Sequence, residues 1–416
     1  MTISNWQEIL APYIRAIEKR YDKLKYRLYY ALGGPGPIKI TPYRGFGTAE
    51  SLYLKGRVLE DRGVTEATTE DSLWQNLLNT YKRLDSREAP HARLRAQLVS
   101  QPEVAAEIEA DEEGMFEVWL HPQAPLPTDR LWHPIDLELR TPQSDAQDGP
   151  ARATGEALVP PPSAEYGVIS DIDDTLLQTD AVNLLRMART VFFENAHTRL
   201  PFPGAAAFYR ALHAGAQGEA QNPLFYVSNS MWNLYDLLSQ FFHLHDIPIG
   251  PLLFLRNWGV YEDEILPLDH QKHKLPIIRQ ILEFYEDLPF ILIGDSGESD
   301  PEIYHQIVDE YPERILAIYI RNVSPDLGRP EAIRALAEEV VAAGSALVLA
   351  EDSLAMAQHA AREGWIASEA LPAIEAAKEK DEGPPTEFEE LLSTVAAGEE
   401  EEAEAPTVVV QGEGEK

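Results

Sequence analysis

Two kinds of hydrophobic pattern divide this chain. Between residues 34 and 141, short runs alternate apolar and polar residues and are separated by Pro, Gly and Asp. Such alternation is typical of strands with one buried face and predicts an antiparallel β-sandwich. The predicted strands are Leu52–Leu59, Ala92–Leu98, Ala106–Ala110, Met115–Leu120 and Ile135–Leu139, with one helix at Thr69–Leu84.

From residue 164 to residue 368 the apolar runs become nearly continuous and alternate with helical segments. This pattern predicts a doubly wound α/β fold, in which helices cover both faces of a parallel sheet. The predicted strands are Tyr166–Ile172, Leu224–Ser228, Leu252–Leu255, Phe290–Gly294, Ile315–Ile320 and Ala346–Leu349. The predicted helices are Asn233–His243, Leu275–Tyr285, Pro301–Glu310, Pro330–Ala343 and Ser353–Glu363. Gln178–Leu212 is too long for a tight connection and predicts a small cap.

Three further segments flank these regions. Residues 1–33 combine a helical spacing of apolar residues with a mostly basic polar face, and predict an amphipathic helix. That face suits either an anionic membrane surface or ordinary solvent exposure, and the pattern does not decide between them. Residues 142–163 are rich in Pro, Gly, Ala, Asp and Gln, which predicts a linker. Residues 369–416 are acidic and poor in large apolar residues, which predicts a disordered tail.

Composition and charge narrow the functional classes. The chain has 416 residues, a formal net charge of −34 and no cysteine. The charge argues against nucleic acid as the main partner, because contacts to phosphates need clustered Lys and Arg. The lack of cysteine excludes disulfides and thiolate metal sites, and suits a cytoplasmic protein. No apolar run reaches the roughly 18 residues of a transmembrane segment, and the N-terminus lacks the pattern of a signal peptide.

Candidate chemistry begins where the first predicted parallel strand ends. Three carboxylates in four residues, Asp171, Asp173 and Asp174, follow an apolar run and precede Thr175. Packing them there costs free energy unless a cation lies among them, so the pattern predicts a divalent metal. Asp171 suits nucleophilic attack, and Asp173 suits proton transfer. Asp174 is more typical of a helix start.

Three later segments complete this pattern. Ser228 and the amides after it follow the second predicted strand and can bind phosphate oxygens. Lys274 begins a predicted helix, and Lys272 is the alternative lysine. Asp295 and Asp300 follow the fourth predicted strand. Carboxylates, a hydroxyl and a lysine are the groups that phosphoryl transfer requires, and hard oxygen ligands favour Mg²⁺.

These motifs resemble, in their usual order, those of the haloacid dehalogenase superfamily of phosphotransferases. They are Asp171-x-Asp173-x-Thr175, Ser228, Lys274 and Gly294-Asp295 followed by Asp300. Longer strings resemble the actin-patch-type phosphatidate phosphatases and their bacterial relatives, which are distantly similar to the lipin catalytic domain. These strings are Ser170–Thr175, Pro201–Gly204, Tyr226–Tyr235 and Ile291–Tyr304. The resemblance covers roughly residues 40–365 and is strongest after residue 164. Met231 departs from it, because many relatives have proline shortly after the serine.

The resemblance implies a haloacid-dehalogenase-like fold and a Mg²⁺-dependent phosphatase that works through an aspartyl-phosphate. Asp171 would be the nucleophile and a metal ligand. Asp173 would be the acid–base group and a metal ligand through its backbone carbonyl, and Thr175 would orient this loop. Asp295 would be the second carboxylate ligand, and Asp300 would act in the outer shell of the metal.

The resemblance also implies how the substrate is bound. Ser228 and Asn229 would bind the phosphoryl group, and Lys274 would neutralise it together with the nucleophile. The narrower resemblance implies phosphatidate at a membrane surface, and therefore an enzyme peripheral to the membrane. An acidic protein is repelled by anionic membranes at low salt, so a soluble phosphoester or a phosphoprotein stays open as the substrate. A non-catalytic phosphatidate-binding module also stays open.

Overall fold

The computed structural model describes residues 36–60, 88–142, 144, 147–172, 202–232, 235–256, 270–324, 326 and 328–381. Several predictions lie outside the described residues: the helices of residues 1–33 and 69–84, the residues Asp173, Asp174 and Thr175, and the tail beyond residue 381. Within the described residues the chain forms one largely antiparallel sheet followed by one parallel sheet, as the two hydrophobic patterns predict.

The first sheet is formed by eight strands of the described residues. They are β1 Ile38–Pro42, β2 Gly45–Gly47, β3 Leu52–Glu60, β4 Arg93–Leu98, β5 Ala105–Glu109, β6 Met115–Leu120, β7 Trp132–Thr141 and β8 Arg152–Leu158. The order is β1-β3-β2-β8-β7-β4-β5, with β6 also paired to β3, and β2 with β8 is the parallel pair. The alternation predicted from the sequence is visible in β4, where Leu94, Ala96 and Leu98 are buried. The two-layer sandwich stays a prediction.

The linker predicted for residues 142–163 is wrong in its middle, because β8 lies there between β2 and β7. Small residues hide its alternation in the sequence. A Cβ atom on Gly155 would lie 2.7 Å from a methyl carbon of Leu54 and 3.0 Å from the Cβ of Pro42. This glycine therefore permits close packing inside a sheet, where composition alone indicates flexibility.

The second sheet has six strands, and every neighbouring pair is parallel. They are β9 Gly167–Asp171, β10 Leu224–Met231, β11 Leu252–Arg256, β12 Phe290–Asp295, β13 Ile315–Arg321 and β14 Leu347–Ala350. The order β11-β10-β9-β12-β13-β14 places the earliest strand near the centre, and the chain changes direction between β9 and β12. All residues of β9 and β12 are buried. This sheet confirms the predicted parallel arrangement.

Helices pack against both faces of the parallel sheet. They are α1 Ala205–Ala214, α2 Tyr235–Leu244, α3 His270–Phe284, α4 Asp300–Glu310, α5 Arg329–Ala342, α6 Ser353–Arg362 and α7 Leu371–Asp381. Successive strand residues enter different cores: Val168 packs with α1, α2, α6 and α7, whereas Ile169 packs with α3, α4 and α5. Because every strand interior is covered on both sides, its apolar run is continuous. None of the described helices has the length and apolar content of a membrane span.

Two helices occupy segments that the sequence patterns assign differently. α1 contains the end of the predicted cap, but Phe208 and Leu212 are buried in the core of the sheet. α7 lies in the predicted disordered tail, yet Ile374 is 1% exposed and packs in the same core. Lys378 of α7 also forms an ion pair of 2.6 Å with Asp352. The tail prediction is wrong for residues 371–381, because a segment with few apolar residues can still dock through one of them.

We expect Ile374→Ala to lower the free energy of unfolding by about 2–5 kcal/mol, because it removes a buried side chain and leaves a cavity. The exposed neighbour Glu375 on the same helix supplies the control, and Glu375→Ala should change stability by less than about 0.5 kcal/mol. Urea unfolding followed by circular dichroism measures both. Equal, small effects of the two substitutions would contradict the docked position of α7.

Candidate active site

The carboxyl ends of three neighbouring strands bring predicted site residues together. β9 pairs with β10 through Asp171 and Val227, so Ser228 comes immediately beyond Asp171 at the same edge. On its other side β9 runs parallel to β12, which ends at Asp295. Asp171, Ser228 and Asp295 are each at most 1% exposed. The chain reverses its strand order between β9 and β12, which is where parallel sheets bind ligands.

Lys274 is the group that joins these strand ends. It lies in the second turn of α3 and is 1% exposed. Its ammonium lies 3.0 Å from Oδ1 of Asp171, 2.8 Å from Oδ1 of Asp300 and 2.8 Å from Oε2 of Glu298. A solvated lysine at a helix start would make none of these contacts. The geometry therefore places Lys274 in the candidate site. The side chain of Lys272, the alternative lysine, lies outside the described part of the structure.

Asp300 begins α4 and connects Lys274 to the end of β12. One of its carboxylate oxygens accepts a hydrogen bond from Lys274, and the other accepts one of 3.2 Å from the backbone N–H of Asp295. A Cβ atom on Gly294 would lie 2.7 Å from the Cβ of Asp300, so the glycine permits this close approach. The start of α4 also carries the positive end of the helix dipole, which favours a carboxylate there.

The loop after β12 is shaped by Asp295 and an arginine. Oδ1 of Asp295 accepts hydrogen bonds from the backbone N–H groups of Gly297 (2.6 Å) and Glu298 (2.9 Å). Arg329 donates to the carbonyls of Ser296 (3.0 Å) and Glu298 (2.9 Å). These bonds direct the side chain of Glu298 back toward Lys274. The sequence patterns assign no role to Glu298, although it lies in the motif that contains Asp295 and Asp300.

Three carboxylates of this site have the arrangement that a divalent metal requires. One oxygen from each of Asp171, Asp295 and Glu298 lies within 4.8 Å of the other two. Two ligands on opposite sides of an octahedral Mg²⁺ lie about 4.2 Å apart, since each Mg–O bond is about 2.1 Å. Buried carboxylate oxygens are also the hard donors that this ion prefers. The residues therefore fit Mg²⁺.

Charge balance explains the pKa values in this site. Burial alone would lower the pKa of Lys274, but the charges of Asp171, Asp300 and Glu298 outweigh burial and raise its pKa well above the ordinary value. Burial and the neighbouring carboxylates raise the pKa values of Asp295 and Asp300 above those of ordinary carboxyl groups, although Lys274 opposes the shift. Burial is the largest cause of the raised pKa of both carboxyl groups, and repulsion from neighbouring carboxylates adds to it. A bound divalent cation would relieve that repulsion.

One hydroxyl group contacts the backbone of Asp171, and a second hydroxyl group contacts the first. Oγ of Ser170 donates to the carbonyl of Asp171 at 2.7 Å, and the phenol of Tyr209 lies 2.7 Å from the same Oγ. Tyr209 is 1% exposed, and burial raises its pKa to about 12. A string of apolar residues around position 209 gives no sign of this contact, because it depends on how α1 packs on the sheet.

Arg321 is a second residue that the sequence patterns miss. It ends β13 beside Asp295, is 3% exposed and donates to Oγ of Ser353 at 2.7 Å. Its guanidinium lies 4.1 Å from the ring centre of Phe202, and burial lowers its pKa to about 10. The sequence does contain a pattern that could have indicated Arg321. It comes at the end of an apolar strand, as Asp171 and Asp295 do.

The remaining predicted residues are placed as follows. The backbone of Asn229 lies in β10, whereas Asp173 and Thr175 lie outside the described residues. Within the antiparallel region, Arg57 forms an ion pair of 2.5 Å with Glu88 and donates to the carbonyl of Glu113. That environment accounts for Arg57 as a structural residue.

Comparison with known proteins supports a phosphatase domain in this chain. Residues 166–322 match a family model described as phosphatidate phosphatase APP1, catalytic domain. This range contains Asp171, Ser228, Lys274, Asp295 and Asp300.

Two curated proteins are similar to part of this chain. Phosphatidate phosphatase APP1 of Saccharomyces cerevisiae is 35% identical over 198 residues, which is 47% of this chain and 32% of that protein. An uncharacterized protein of Schizosaccharomyces pombe is 33% identical over 163 residues, which is 38% of this chain and 25% of that protein. The chain thus spans about a third or less of the length of these relatives.

Two solved structures with some similarity to this chain are too distant to support a fold or a function. A mutant of the PilB minor pilin from Streptococcus sanguinis is 8% identical, with a TM-score of 0.24 over 71% of this chain and 90% of that chain. The chitinase ChiW from Paenibacillus sp. is also 8% identical, with a TM-score of 0.19 over 71% of this chain and 38% of that chain. Likeness at this level bears on neither fold nor function.

We expect Lys274→Met to lower the free energy of unfolding by about 3–5 kcal/mol near pH 8 without metal, because it leaves buried carboxylates without their ammonium partner. The loss should shrink at lower pH, where these carboxylates bind protons. Lys272→Met tests the alternative lysine and should change stability less than Lys274→Met does. Chemical denaturation at pH 8 and pH 6 measures both. Equal effects of the two substitutions would contradict the assignment of Lys274 to the site.

We expect Mg²⁺ to stabilise the protein more at pH 8 than at pH 6. Since the pKa values of Asp295 and Asp300 are raised in the folded state, the metal-free protein binds protons that the unfolded chain has released, and its stability falls as pH rises. Metal binding needs deprotonated carboxylates, so protons compete with it at low pH. At 100 times its dissociation constant, Mg²⁺ should add about 2.7 kcal/mol.

Thermal melting with Mg²⁺ and with EDTA at the two pH values measures this effect. Asp295→Asn removes one ligand and should abolish most of the Mg²⁺-dependent shift. A shift of the same size in wild type and Asp295→Asn would show that Mg²⁺ binds elsewhere.

Proposed function

We propose that residues 164–368 form a haloacid-dehalogenase-like phosphatase domain that hydrolyses a phosphomonoester through an aspartyl-phosphate on Asp171. One observation carries the proposal: a buried lysine contacts the candidate nucleophile at the reversal point of a parallel sheet, beside a second buried carboxylate. The match of residues 166–322 to a phosphatidate phosphatase catalytic domain supports the same reaction.

In the first step an oxygen of the Asp171 carboxylate attacks phosphorus, and the bond from phosphorus to the alcohol oxygen breaks. Asp173 gives its proton to that alcohol oxygen. The product is an alcohol and a phosphoryl group bound to Asp171. Lys274 is 3.0 Å from Asp171, so its positive charge offsets the negative charge that nucleophile and phosphoryl group bring together.

In the second step a water oxygen attacks the phosphorus of the aspartyl-phosphate. Asp173, now a carboxylate, takes the proton from that water, and the bond between phosphorus and Asp171 breaks. Inorganic phosphate leaves and both carboxyl groups return to their starting states. Ser228 and Asn229 bind the phosphoryl oxygens in both steps, in keeping with their place next to Asp171 at the sheet edge.

The proposed cofactor is Mg²⁺, with Asp171, Asp295 and the backbone carbonyl of Asp173 as protein ligands and Asp300 in the outer shell. Glu298 is a further ligand candidate, since its carboxylate is one of the three that lie together. When bound, Mg²⁺ supplies positive charge to the phosphoryl oxygens and favours the ionised form of these carboxyl groups. Asp300 orients Lys274 and the end of β12 through its two carboxylate oxygens.

The proposed substrate is phosphatidate, which is the substrate named for the matched catalytic domain. A soluble phosphoester or phosphoprotein is the second candidate, and the net charge of −34 favours it, because anionic membranes repel an acidic protein at low salt. The basic face predicted for residues 1–33 would suit an anionic lipid surface, although the sequence pattern fits solvent exposure equally. A protein that binds phosphatidate without cleaving it would need no nucleophile, and Asp171 argues against that function.

We expect Asp171→Asn to lower Mg²⁺-dependent phosphatase activity by about 10⁴-fold or more, since it removes the nucleophile. Asp173→Asn should act similarly, whereas Asp174→Asn, next in sequence, should retain activity. A screen of phosphatidate, lysophosphatidate and soluble phosphoesters, with Asp171→Asn as the blank, measures the reaction and its preference. Full activity in Asp171→Asn or Asp173→Asn with native circular dichroism would refute the mechanism.

Flotation with vesicles distinguishes the two substrate classes. The lipid proposal predicts binding to vesicles that contain phosphatidate, stronger than binding to neutral vesicles, together with turnover of the lipid. If the protein neither binds nor hydrolyses the lipid but hydrolyses a soluble phosphoester, the substrate is a soluble phosphoester or a phosphoprotein. Binding without turnover, and without a Mg²⁺-dependent aspartyl adduct of beryllofluoride, would indicate a binding module.

A further inference from the structure

The segment that follows Ser228 is irregularly paired within the parallel sheet. Among the described residues, β10 pairs with β9 as far as Val227 and Asp171. Its pairing with β11 shifts register between Ser228 and Met231. An advance of three residues along β10 there corresponds to an advance of two residues along β11. Such a bulge interrupts the hydrogen-bond ladder at the residues proposed to bind phosphate. Contacts outside the sheet can therefore contribute to the position of this segment.

The antiparallel sheet supplies such contacts through Trp232, which follows β10 directly and is 8% exposed. The ring of Tyr43 stacks on Trp232 with the centres 4.8 Å apart and an angle of 10° between the planes. The ammonium of Lys55 lies 4.6 Å from the centre of the same ring. Lys55 is kept there by an ion pair of 3.0 Å with Glu117.

The same group also contacts the start of α2. The ring of Tyr43 lies 4.3 Å from that of Tyr235, and the hydroxyl of Tyr235 accepts a hydrogen bond of 2.6 Å from the backbone N–H of Arg44. We call Tyr43, Lys55, Trp232 and Tyr235 the Tyr43 cluster. It joins β1–β3 to the peptide immediately after the bulge, and Tyr43 and Lys55 lie outside the matched residues 166–322.

We propose that the antiparallel sheet supports the active site, because Tyr43 and Lys55 position the phosphate-binding segment of residues 228–232 through Trp232. The proposal rests on the phosphatase function proposed above. Tyr43 and Lys55 are positioning residues, since their contacts are to Trp232 and Tyr235. Aromatic stacking and a cation over an aromatic ring both favour the observed position of Trp232, and with it the position of the peptide that precedes it.

A second contact between the two sheets provides a matched control. Phe46 lies three residues after Tyr43, is equally buried at 5% exposure, and packs edge-on against Phe284 with ring centres 5.2 Å apart. Phe284 is at the last residue of α3, ten residues beyond Lys274. Phe46→Ala therefore weakens the packing of the sheets by a similar amount without touching the segment after Ser228.

The first measurement is amide hydrogen exchange of the full chain in Tyr43→Ala, Tyr43→Phe and Phe46→Ala. We expect Tyr43→Ala to raise exchange about tenfold for residues 228–240, because the stacking energy is lost there. Tyr43→Phe keeps the ring and should exchange as wild type does. Phe46→Ala should leave these residues unchanged. Equal exchange of residues 228–240 in Tyr43→Ala and wild type would overturn the proposal.

The second measurement is the binding of inorganic phosphate in the presence of Mg²⁺, as the inhibition constant and by calorimetry. We expect affinity to fall about tenfold in Tyr43→Ala and about threefold in Lys55→Met, and to change less than twofold in Phe46→Ala and Tyr43→Phe. Equal losses in Tyr43→Ala and Phe46→Ala would reduce the cluster to ordinary packing between sheets and overturn the proposal.

The two proposals fail separately. If wild type neither binds phosphate nor hydrolyses any phosphoester, the phosphatase function is refuted, and the exchange comparison still decides whether Tyr43 orders residues 228–240. If wild type is an active phosphatase and Tyr43→Ala retains both phosphate affinity and exchange, the positioning role alone is refuted.

Discussion

The ion pairs of Lys274 with buried carboxylates are the constraint on which the candidate site depends. An ammonium in this position is stable only while Asp171, Glu298 and Asp300 lie within about 3 Å of it. Burying a charge without a partner costs several kcal/mol, so breaking one of these contacts would destabilise the others. The position of α3 relative to β9, and of α4 relative to β12, is therefore tied to electrostatics as well as to apolar packing.

The charges around Lys274 are also unbalanced, and this imbalance connects the stability of the protein to its proposed function. Four carboxylates and one ammonium lie in the cluster of Asp171, Lys274, Asp295, Glu298 and Asp300, which is why burial and mutual repulsion raise carboxyl pKa values there. A purely structural core would not keep this excess of negative charge. A site that binds a divalent cation and then an anionic phosphate needs that excess, so the electrostatic cost belongs to the proposed chemistry.

The residues around this cluster come from much more of the chain than the matched segment. Ile374 packs in the core beneath β9, and Asp381 accepts a hydrogen bond of 2.9 Å from the backbone of Gly204. From the other direction, Tyr43 reaches Trp232 beside the end of β10. A domain boundary drawn at residue 164 or 368 would separate contacts that determine the geometry of the strand ends. The antiparallel sheet and α7 are better understood as parts of the site's support.

Local sequence determined the elements whose physical signal lies within a few residues. The apolar runs of β9 and β12 indicate buried parallel strands, and a carboxylate placed directly after each indicates ligand chemistry, because strand ends meet at one edge of the sheet. These rules were sufficient to predict the parallel sheet and to select Asp171 and Asp295, whereas the sequence left Lys272 as an alternative to Lys274. The roles proposed for them depend on a family resemblance as well.

Only the tertiary structure decided the features that depend on residues far apart in the chain. Gly155 lies in a segment whose composition is typical of a linker. It is nevertheless a strand residue, because Leu54 packs against it. α7 is held by the burial of Ile374, and Glu298 enters the site through backbone bonds to Asp295 and contact with Lys274. Periodicity reports whether a segment has an apolar face, but it carries no information about which distant residue will cover that face. That choice follows from packing and charge in the folded chain.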